Sequence, residues 1–296
     1  MSTQEHADRT VRNIDPRRLP TFLIGGAQKA GTTALWESLR GHPDIGMARL
    51  KEPQFFTYEG KFGRGFEYYT ALFAGTESRS ARGEASTMYL CAPDSAHLIS
   101  QSIPDVKLIF CLRDPVLRMH SNYWWDKRFR SDLPPFEEMV RTNHPQLQVY
   151  AARSHYAVQL ARFRRHFADD QIKVVLSDDL SAGRRAVLQD VCAFVGVDPG
   201  ALSHSAPARH NSAARSRSVV LQRLLGDHRR EWTRFLPRPA AGMLWRAKER
   251  ALRMNAVRAT YPQLPTSLRQ QLIACFEEDV VYVERLTNRS LPAWRT

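Results

Sequence analysis

Short apolar runs alternate with amphipathic stretches over the first two hundred residues of the chain. The continuous apolar runs 21–25, 106–112 and Ile172–Leu176 predict strands that are buried on both faces of a parallel sheet. A shorter run at 82–86 predicts one further strand. Apolar residues spaced three or four positions apart predict the intervening helices, at Thr32–Leu39, 62–73, 155–167 and Arg184–Val195. This alternation predicts a three-layer α/β fold, in which a central parallel β-sheet is flanked by helices.

The two ends of the chain and the segment 205–260 have different patterns. Residues 1–19 are polar and carry both charges, which predicts a flexible N-terminal arm before a single domain over 20–296. Residues 268–286 predict one amphipathic helix. The segment 205–260 is rich in arginine, serine and aromatic residues. Such a segment is typical of a lid or insert over a binding site, a nucleic-acid or membrane surface, or a contact with a second copy in a homodimer.

The stretch 21–40 predicts a phosphate-binding loop between a strand and a helix. Gly26 and Gly31 permit a tight turn, and Thr32 opens the helix. Backbone N–H groups and the positive end of the helix dipole converge at such a loop. In a Walker A loop the lysine follows the second glycine, but Thr32 occupies that position here and the lysine, Lys29, lies inside the loop. The pattern therefore disfavours an ordinary ATP or GTP site with magnesium.

Composition adds three constraints. The 43 Lys and Arg residues exceed the 30 Asp and Glu residues, which leaves a net charge of +13. That excess favours an anionic partner, although an arginine-rich composition without any partner would produce it too. The four cysteines are far apart in sequence, which predicts free thiols and no zinc site. The polar N-terminus and the lack of an apolar run of about 20 residues predict a cytoplasmic protein without a transmembrane segment.

Two further motifs bring charged residues to the ends of predicted strands. Glu84 stands where a strand ends, so its carboxylate is expected on the ligand side of a doubly wound sheet, with a plain surface position as the alternative. Arg113 follows the clearest apolar run, and Asp114 then caps a helix that contains Ser121. A guanidinium beside a helical hydroxyl suits a second phosphate site. An ion pair with Asp114 is the alternative for Arg113.

Taken together, the motifs resemble those of the sulfotransferases that use 3′-phosphoadenosine 5′-phosphosulfate (PAPS) as donor, in the branch of the heparan sulfate sulfotransferases and their bacterial relatives. Four segments carry the resemblance: QKAGTT at 28–33, KEPQFF at 51–56, RGEASTMY at 82–89 and KLIFCLRDPVLRMHSNY at 107–123. The resemblance implies a P-loop-NTPase-like fold. It also implies sulfuryl transfer to a hydroxyl or amine of a small molecule, lipid or glycan, with 3′-phosphoadenosine 5′-phosphate (PAP) as product and no required metal.

The same resemblance implies roles for individual residues. Glu84 matches the catalytic glutamate and would be the general base, Lys29 would stabilise the leaving phosphate, and Lys51 would assist near the sulfuryl group. The residues implied in donor binding come from the loop, the strand tip, the next helix and the basic segment: Gln28, Lys29, Ala30, Gly31, Thr32, Thr33, Arg113, Ser121, Arg215 and Arg217.

The same residues argue against other functions. A P-loop kinase or NTPase is the first alternative, and the displaced Lys29 argues against it. A nucleic-acid-binding protein leaves Lys29, Glu84 and Arg113 unexplained, so no nucleic-acid partner is expected. His120 and His155 are the alternative general bases, because phenol and steroid sulfotransferases use a histidine, but their placement in helices predicts structural roles. The acceptor stays open, since the segment 205–260 does not closely match the glycan enzymes.

Overall fold

The fold is built on a five-stranded parallel sheet. The computed structural model describes residues 14–57, 62–128, 130, 132–202, 214–216, 251, 256–258 and 262–296. The strands are β1 (Phe22–Gly26), β2 (Ile45–Met47), β3 (Ala81–Ala85), β4 (Lys107–Leu112) and β5 (Ile172–Leu176). Their spatial order is β2-β3-β1-β4-β5, and every neighbouring pair is parallel. Because the chain winds outward on both sides of β1, ligands are expected beyond the carboxyl end of that strand.

Helices flank the sheet. They are α1 (Thr32–Leu39), α2 (Gly65–Thr70), α3 (Ser95–Ser102), α4 (Pro115–Lys127), α5 (Phe136–Arg141), α6 (Pro145–Ala152), α7 (Tyr156–Arg164), α8 (Ser177–Ala182), α9 (Arg184–Val195), α10 (Thr266–Ile273) and α11 (Glu277–Thr287). A separate antiparallel pair joins β6 (Ala214–Ser216) to β7 (Ala256–Arg258). The predicted α/β class, with a parallel sheet between helices, is confirmed.

Two apolar clusters hold these elements together. The larger one contains the sheet, with Phe22, Ile24, Leu108 and Phe110 all inaccessible to solvent. The smaller one joins α4, α5, α6 and α10, and its members include Met119, Tyr123, Phe136, Met139, Tyr150 and Leu272. Burial of each such side chain contributes roughly 1.5–3 kcal/mol to folding before the entropy cost is subtracted. The second cluster fixes α4, which follows the predicted anion-binding strand tip.

Several predicted boundaries were wrong. The stretch 268–286 is two helices separated by a 3₁₀ turn at Ala274–Phe276. The predicted helix at 62–73 is α2 between two 3₁₀ turns. Within the predicted N-terminal arm, Asp15 caps a 3₁₀ turn at Pro16–Arg18 and Leu19 packs against the larger cluster. Strand β2 was not predicted, because three residues are too few to give a periodic signal.

Candidate active site

The glycine-rich loop leaves β1 under close steric constraint. Gly26 has φ of 151°, and a Cβ at this position would lie 2.7 Å from Leu90 Cβ and 3.1 Å from the carbonyl oxygen of Thr87. Ala27 N donates to the carbonyl of Cys111 at 2.6 Å, and Leu90 N donates to that of Gly25 at 2.8 Å. The loop is thus enclosed by the chain after β3 on one side and by the end of β4 on the other. A side chain at Gly26 would push these segments apart.

Helix α1 begins directly after the loop and has no side-chain cap. Its N-cap residue is Gly31, in the left-handed region with φ of 96°. Thr32, the first helical residue, is buried, and Thr33 is half-buried. The N–H groups of a first helical turn have no intrahelical partners, and here the capping residue offers no side chain to take their place. This end of α1 therefore suits an anion.

Lys29 stands inside the loop in a left-handed conformation, with φ of 70°. Its ammonium nitrogen lies 4.5 Å from the centroid of the Trp125 ring. Burial, together with the guanidinium groups of Arg128, Arg113 and Arg118, lowers the pKa of Lys29 to about 8, and Asp126 opposes this more weakly. Within the described residues Lys29 forms no ion pair with a carboxylate, so its charge is poorly compensated.

The rest of the predicted donor loop is buried or braced. Ala30 is inaccessible to solvent. The side-chain oxygen of Gln28 accepts a hydrogen bond from Arg153 at 3.0 Å. The backbone carbonyl of Gln28 accepts a hydrogen bond from Arg118 Nη1 at 3.4 Å. Two cations therefore fix the backbone and side chain of Gln28 from the side of α6 and α4.

Arg113 and Ser121 lie in one strand–helix unit, as expected from the sequence. Arg113 directly follows β4, and its carbonyl accepts a hydrogen bond from the Tyr156 hydroxyl at 2.8 Å. Asp114 caps α4 by accepting from Leu117 N at 2.9 Å, and it also binds Arg269. The alternative expectation, an Arg113–Asp114 ion pair, was wrong, because Asp114 is engaged elsewhere. In the described part of the chain the Arg113 guanidinium has no carboxylate partner.

Arg118 adds a positive charge close to Lys29, and it was not predicted from the sequence. It is inaccessible to solvent, and it donates to Ser154 Oγ at 2.5 Å, to the carbonyl of Tyr150 at 2.5 Å and to Asn122 Oδ1 at 3.0 Å. All of these acceptors are neutral. Burial lowers the pKa of Arg118 to about 10, so it stays charged at neutral pH. Its position one turn after the helix cap gave no signal in the sequence.

Lys51 and Glu52 form an ion pair beside the loop. The two side chains meet at 2.8 Å and remain partly exposed, at 19% and 32%. Thr87 donates to Glu52 Oε2 at 2.8 Å. Burial by itself would raise the pKa of Glu52, but Lys51 and the hydrogen bonds from Lys51, Thr87 and Gln54 lower it below its usual value. Because the carbonyl of Thr87 adjoins Gly26, this pair lies close to the start of the loop.

Glu84 lies inside β3 rather than after it, and it is inaccessible to solvent. Its Oε1 accepts hydrogen bonds from the hydroxyls of Tyr89 at 2.6 Å and Tyr69 at 3.3 Å. Burial raises the pKa of Glu84 to about 7, against the opposing hydrogen bonds from Tyr89, Ser86 and Tyr69. The surface position considered for Glu84 was wrong. Its carboxylate is enclosed by aromatic side chains.

The two histidines have structural partners. His120 Nε2 accepts a hydrogen bond from Trp124 Nε1 at 2.8 Å, and burial lowers the pKa of His120 to about 4. His155 precedes α7 instead of lying within it. Its Nδ1 meets Asp279 Oδ2 at 2.9 Å, and this hydrogen bond raises the pKa of His155. In each histidine, one ring nitrogen is therefore engaged in a hydrogen bond within the protein.

Most of the basic segment 205–260 lies outside the described residues. Arg215 lies in β6, paired with Val257 of β7, and Arg217 lies outside the described residues. No group of three or more His, Cys, Asp or Glu side chains in the described residues is arranged to hold a metal ion. No helix in that same part of the chain is long and apolar enough to cross a bilayer.

This fold and loop define an α/β protein of the P-loop-like class. The family model for the sulfotransferase domain matches residues 19–235, well over half of the chain. The chain therefore belongs to the sulfotransferase family.

Relatives and solved structures agree with this assignment. Heparan sulfate glucosamine 3-O-sulfotransferase 3B1 of Homo sapiens is 32% identical over 186 residues, 61% of this chain and 47% of the relative. The bifunctional heparan sulfate N-deacetylase/N-sulfotransferase 4 of Mus musculus is 29% identical, over 66% of this chain and 24% of its own. The chain thus spans about half or less of these relatives. A sulfotransferase from Alicyclobacillus acidocaldarius matches with a TM-score of 0.66 and 28% identity, over 94% of this chain and 99% of that one.

Proposed function

We propose that this protein transfers a sulfuryl group from PAPS to a hydroxyl or amine of an acceptor. One observation carries the choice of donor. Lys29 lies in the loop just before the uncapped start of α1, and the guanidinium groups of Arg113 and Arg118 act on its charge. None of the three has an ion-paired carboxylate among the described residues. Such a site is prepared for a ligand with several negative charges. PAPS carries phosphate groups at both ends of its ribose, which suits a loop with Lys29 and a separate strand tip with Arg113.

The reaction needs charge stabilisation at the donor. As the bond from sulfur to the bridging oxygen breaks, negative charge accumulates on the 5′-phosphate of PAP, and a new bond forms from sulfur to the acceptor oxygen or nitrogen. Lys29 and the N–H groups of α1 are suited to stabilise that charge. Arg113 and Ser121 would bind the 3′-phosphate, which is not changed in the reaction. Lys51 would neutralise the sulfuryl oxygens during transfer.

The acceptor must also lose a proton, and two carboxylates are candidates for the general base. The family resemblance favours Glu84, but that carboxylate is inaccessible to solvent. Glu52 is 32% exposed, pairs with Lys51 and has a pKa below its usual value, so it is ionised at neutral pH. A base must come within hydrogen-bond distance of the proton that it removes. We therefore assign proton removal to Glu52, with Glu84 as the alternative.

For the acceptor we propose a sugar hydroxyl or amine. The support comes from the relatives, which are named as heparan sulfate 3-O- and N-sulfotransferases. A small metabolite or lipid hydroxyl is the alternative. A cytoplasmic location, a bacterial origin and a homodimer stay predictions.

Nucleotide binding tests the proposal directly. Isothermal titration calorimetry of the purified protein with PAP and with ATP, each with and without magnesium, separates the donor classes. We expect PAP to bind at least about tenfold more tightly than ATP, because only PAP occupies both phosphate sites, and we expect magnesium to have no effect. Equal affinities or a magnesium requirement would contradict the proposal. Transfer of labelled sulfate from PAPS to a panel of oligosaccharides, phenols and alcohols then identifies the acceptor class.

A further inference from the structure

A buried tyrosine joins the two carboxylate-bearing segments of the site. The Tyr89 hydroxyl donates to Glu84 Oε1 at 2.6 Å. The Tyr89 hydroxyl oxygen also accepts hydrogen bonds, from the backbone N–H of Phe55 at 2.9 Å and from that of Phe56 at 3.4 Å. A hydroxyl has one donor and two acceptor sites, and these contacts use them all. Tyr89 therefore connects β3 to the segment 51–56.

The segment 51–56 depends on such contacts for its shape. Glu52 and Gln54 both have positive φ, 58° and 50°, although neither is glycine. Residues in this region persist only where the surrounding structure determines them strongly. Here Glu52 N donates to the carbonyl of Ala85 and Gln54 N donates to Ser86 Oγ, both at 2.8 Å. The Phe55 N–H bond to Tyr89 continues this series.

The chain from Ala85 to Tyr89 thus acts as a template for the segment that carries Lys51 and Glu52. We propose that Tyr89 is a positioning residue for this segment, which it fixes through its hydroxyl bonds to Phe55 N–H and Glu84. This inference rests on the proposed function only in its expectation for turnover. The backbone arrangement itself can be tested without any substrate.

The Glu84 charge is part of the same unit. Four groups face it: Tyr69 from α2, Tyr89 and Ser86 from the chain after β3, and Glu52 from the segment 51–56. Hydrogen bonds from the hydroxyls lower the pKa of Glu84, whereas burial and Glu52 raise it. Removal of the Tyr89 hydroxyl takes away a stabilising donor to the charged form. The pKa of Glu84 should then rise further, so that Glu84 stays protonated and neutral up to a higher pH.

The test compares two substitutions that each remove one hydroxyl from Glu84. Tyr89→Phe removes the donor and also the acceptor for Phe55 N–H. Tyr69→Phe removes only a donor, at 3.3 Å from Glu84. The Tyr69 hydroxyl makes no hydrogen bond to the segment 51–56, and phenylalanine keeps the ring. Hydrogen–deuterium exchange of peptides spanning 50–57 reports the backbone, calorimetry reports PAP affinity, and PAP release from PAPS, with water as the default acceptor, reports turnover across pH.

We expect Tyr89→Phe to speed exchange in 50–57 by about tenfold or more, because the Phe55 and Phe56 N–H groups lose the hydroxyl that accepts their hydrogen bonds. The turnover number should fall by about tenfold with little change in KM for PAPS. The acidic limb of the pH–rate profile should move to higher pH, because a less ordered segment weakens the Lys51 and Thr87 contacts that lower the pKa of Glu52. Tyr69→Phe should change each by less than about threefold. Ser86→Ala, which removes the acceptor for Gln54 N, should act in the same direction as Tyr89→Phe.

The outcomes separate this inference from the proposed function. If Tyr89→Phe and Tyr69→Phe behave alike in exchange and in turnover, Tyr89 has no positioning role. A purely structural loss would lower the melting temperature without moving the pH profile, and that result would also overturn the inference. If the wild-type protein does not bind PAP, the proposed donor is wrong, but the exchange comparison still decides whether Tyr89 holds 51–56.

Discussion

The two sides of the sheet's carboxyl edge treat charge in opposite ways. On the side of β1 and β4, Arg118 is buried and Lys29 is half-buried, and neither has an ion-paired carboxylate in the described residues. Neutral oxygens are the hydrogen-bond acceptors of Arg118. On the side of β2 and β3, Glu52 and Glu84 have hydroxyl donors, and Glu52 also has Lys51. The difference teaches that the cationic side lacks a counter-charge that a bound anion would supply, whereas both carboxylates on the acidic side already have hydrogen-bond donors within the protein.

This comparison predicts separable phenotypes. Changes on the cationic side should weaken donor binding and turnover together, because the donor supplies the missing negative charge. Changes on the acidic side should reduce turnover and leave PAP affinity intact. A variant on the acidic side that also weakens PAP binding would show that the two sides are coupled.

The largest effect is expected from Glu52→Gln. The amide keeps the shape but cannot take a proton, so turnover should fall by about 10³-fold. PAP affinity should stay within about twofold of the wild type. Labelled-sulfate transfer and calorimetry measure the two quantities.

Glu84→Gln is the matched variant on the same side. Because Glu84 is enclosed by Tyr69 and Tyr89, its loss should act through position and cost about tenfold in turnover. If Glu84→Gln abolishes turnover and Glu52→Gln does not, the base is Glu84 and an acceptor must open the aromatic enclosure to reach it.

Lys29→Ala should have the next largest effect. The loss of the cation at the leaving phosphate should lower turnover by about 10²-fold and weaken PAP binding at the same time. In the wild type, PAP affinity should also fall as pH rises above about 8, because free Lys29 loses its proton there and must regain it to bind the anion.

The pH dependence supplies its own control. In Lys29→Ala the decline of PAP affinity above pH 8 should disappear, as calorimetry at pH 7, 8 and 9 would measure. An unchanged pH slope in the variant would mean that another group causes the decline and that Lys29 does not contact the ligand.

The smallest effect is expected away from both sides, at His155. Its pKa is raised by Asp279, so the contact stabilises the fold fully below the unfolded pKa of about 6.5 and loses this effect as pH rises through the folded value. His155→Gln should cost less than about 1 kcal/mol at pH 5.5, because the ring is partly exposed, and almost nothing at pH 8.5. Urea unfolding at both pH values measures the difference.

His120 should show the opposite sign in the same experiment. Its pKa is lowered to about 4 by burial, so it destabilises the fold as pH falls below about 6.5. His120→Gln should therefore reduce the loss of stability in acid. If both variants have the same pH dependence, the assigned environments of the two rings are wrong.

Much of this fold could be predicted from the sequence. The strands at Ile172–Leu176 and near 106–112 are continuous apolar runs, and α9 ends at Gly196 with φ of 84°, as a glycine stop indicates. The cap of α4 was predicted at Asp114 and is confirmed. These features depend on neighbours in sequence, which is why local patterns reveal them.

The environment of each site residue was not predictable in the same way. The strand that carries Glu84 was predicted, but the burial of Glu84 depends on Tyr69, which comes from a different element. Arg118 lies in a recognised motif, but its partner Ser154 is 36 residues away. Whether a charge is reachable or enclosed depends on such distant partners, and no local period encodes them.

The cap of α4 has a consequence for the order of folding. Arg269, which binds Asp114, is 155 residues further along the chain. Contacts of that separation close late, because the loop entropy is lost before the contact is gained. Since chains are synthesised from the N-terminus, the sheet can assemble while Asp114 still lacks this partner. Ribosome-bound chains stalled before and after residue 269 should therefore differ in protease resistance around α4 but not around β1.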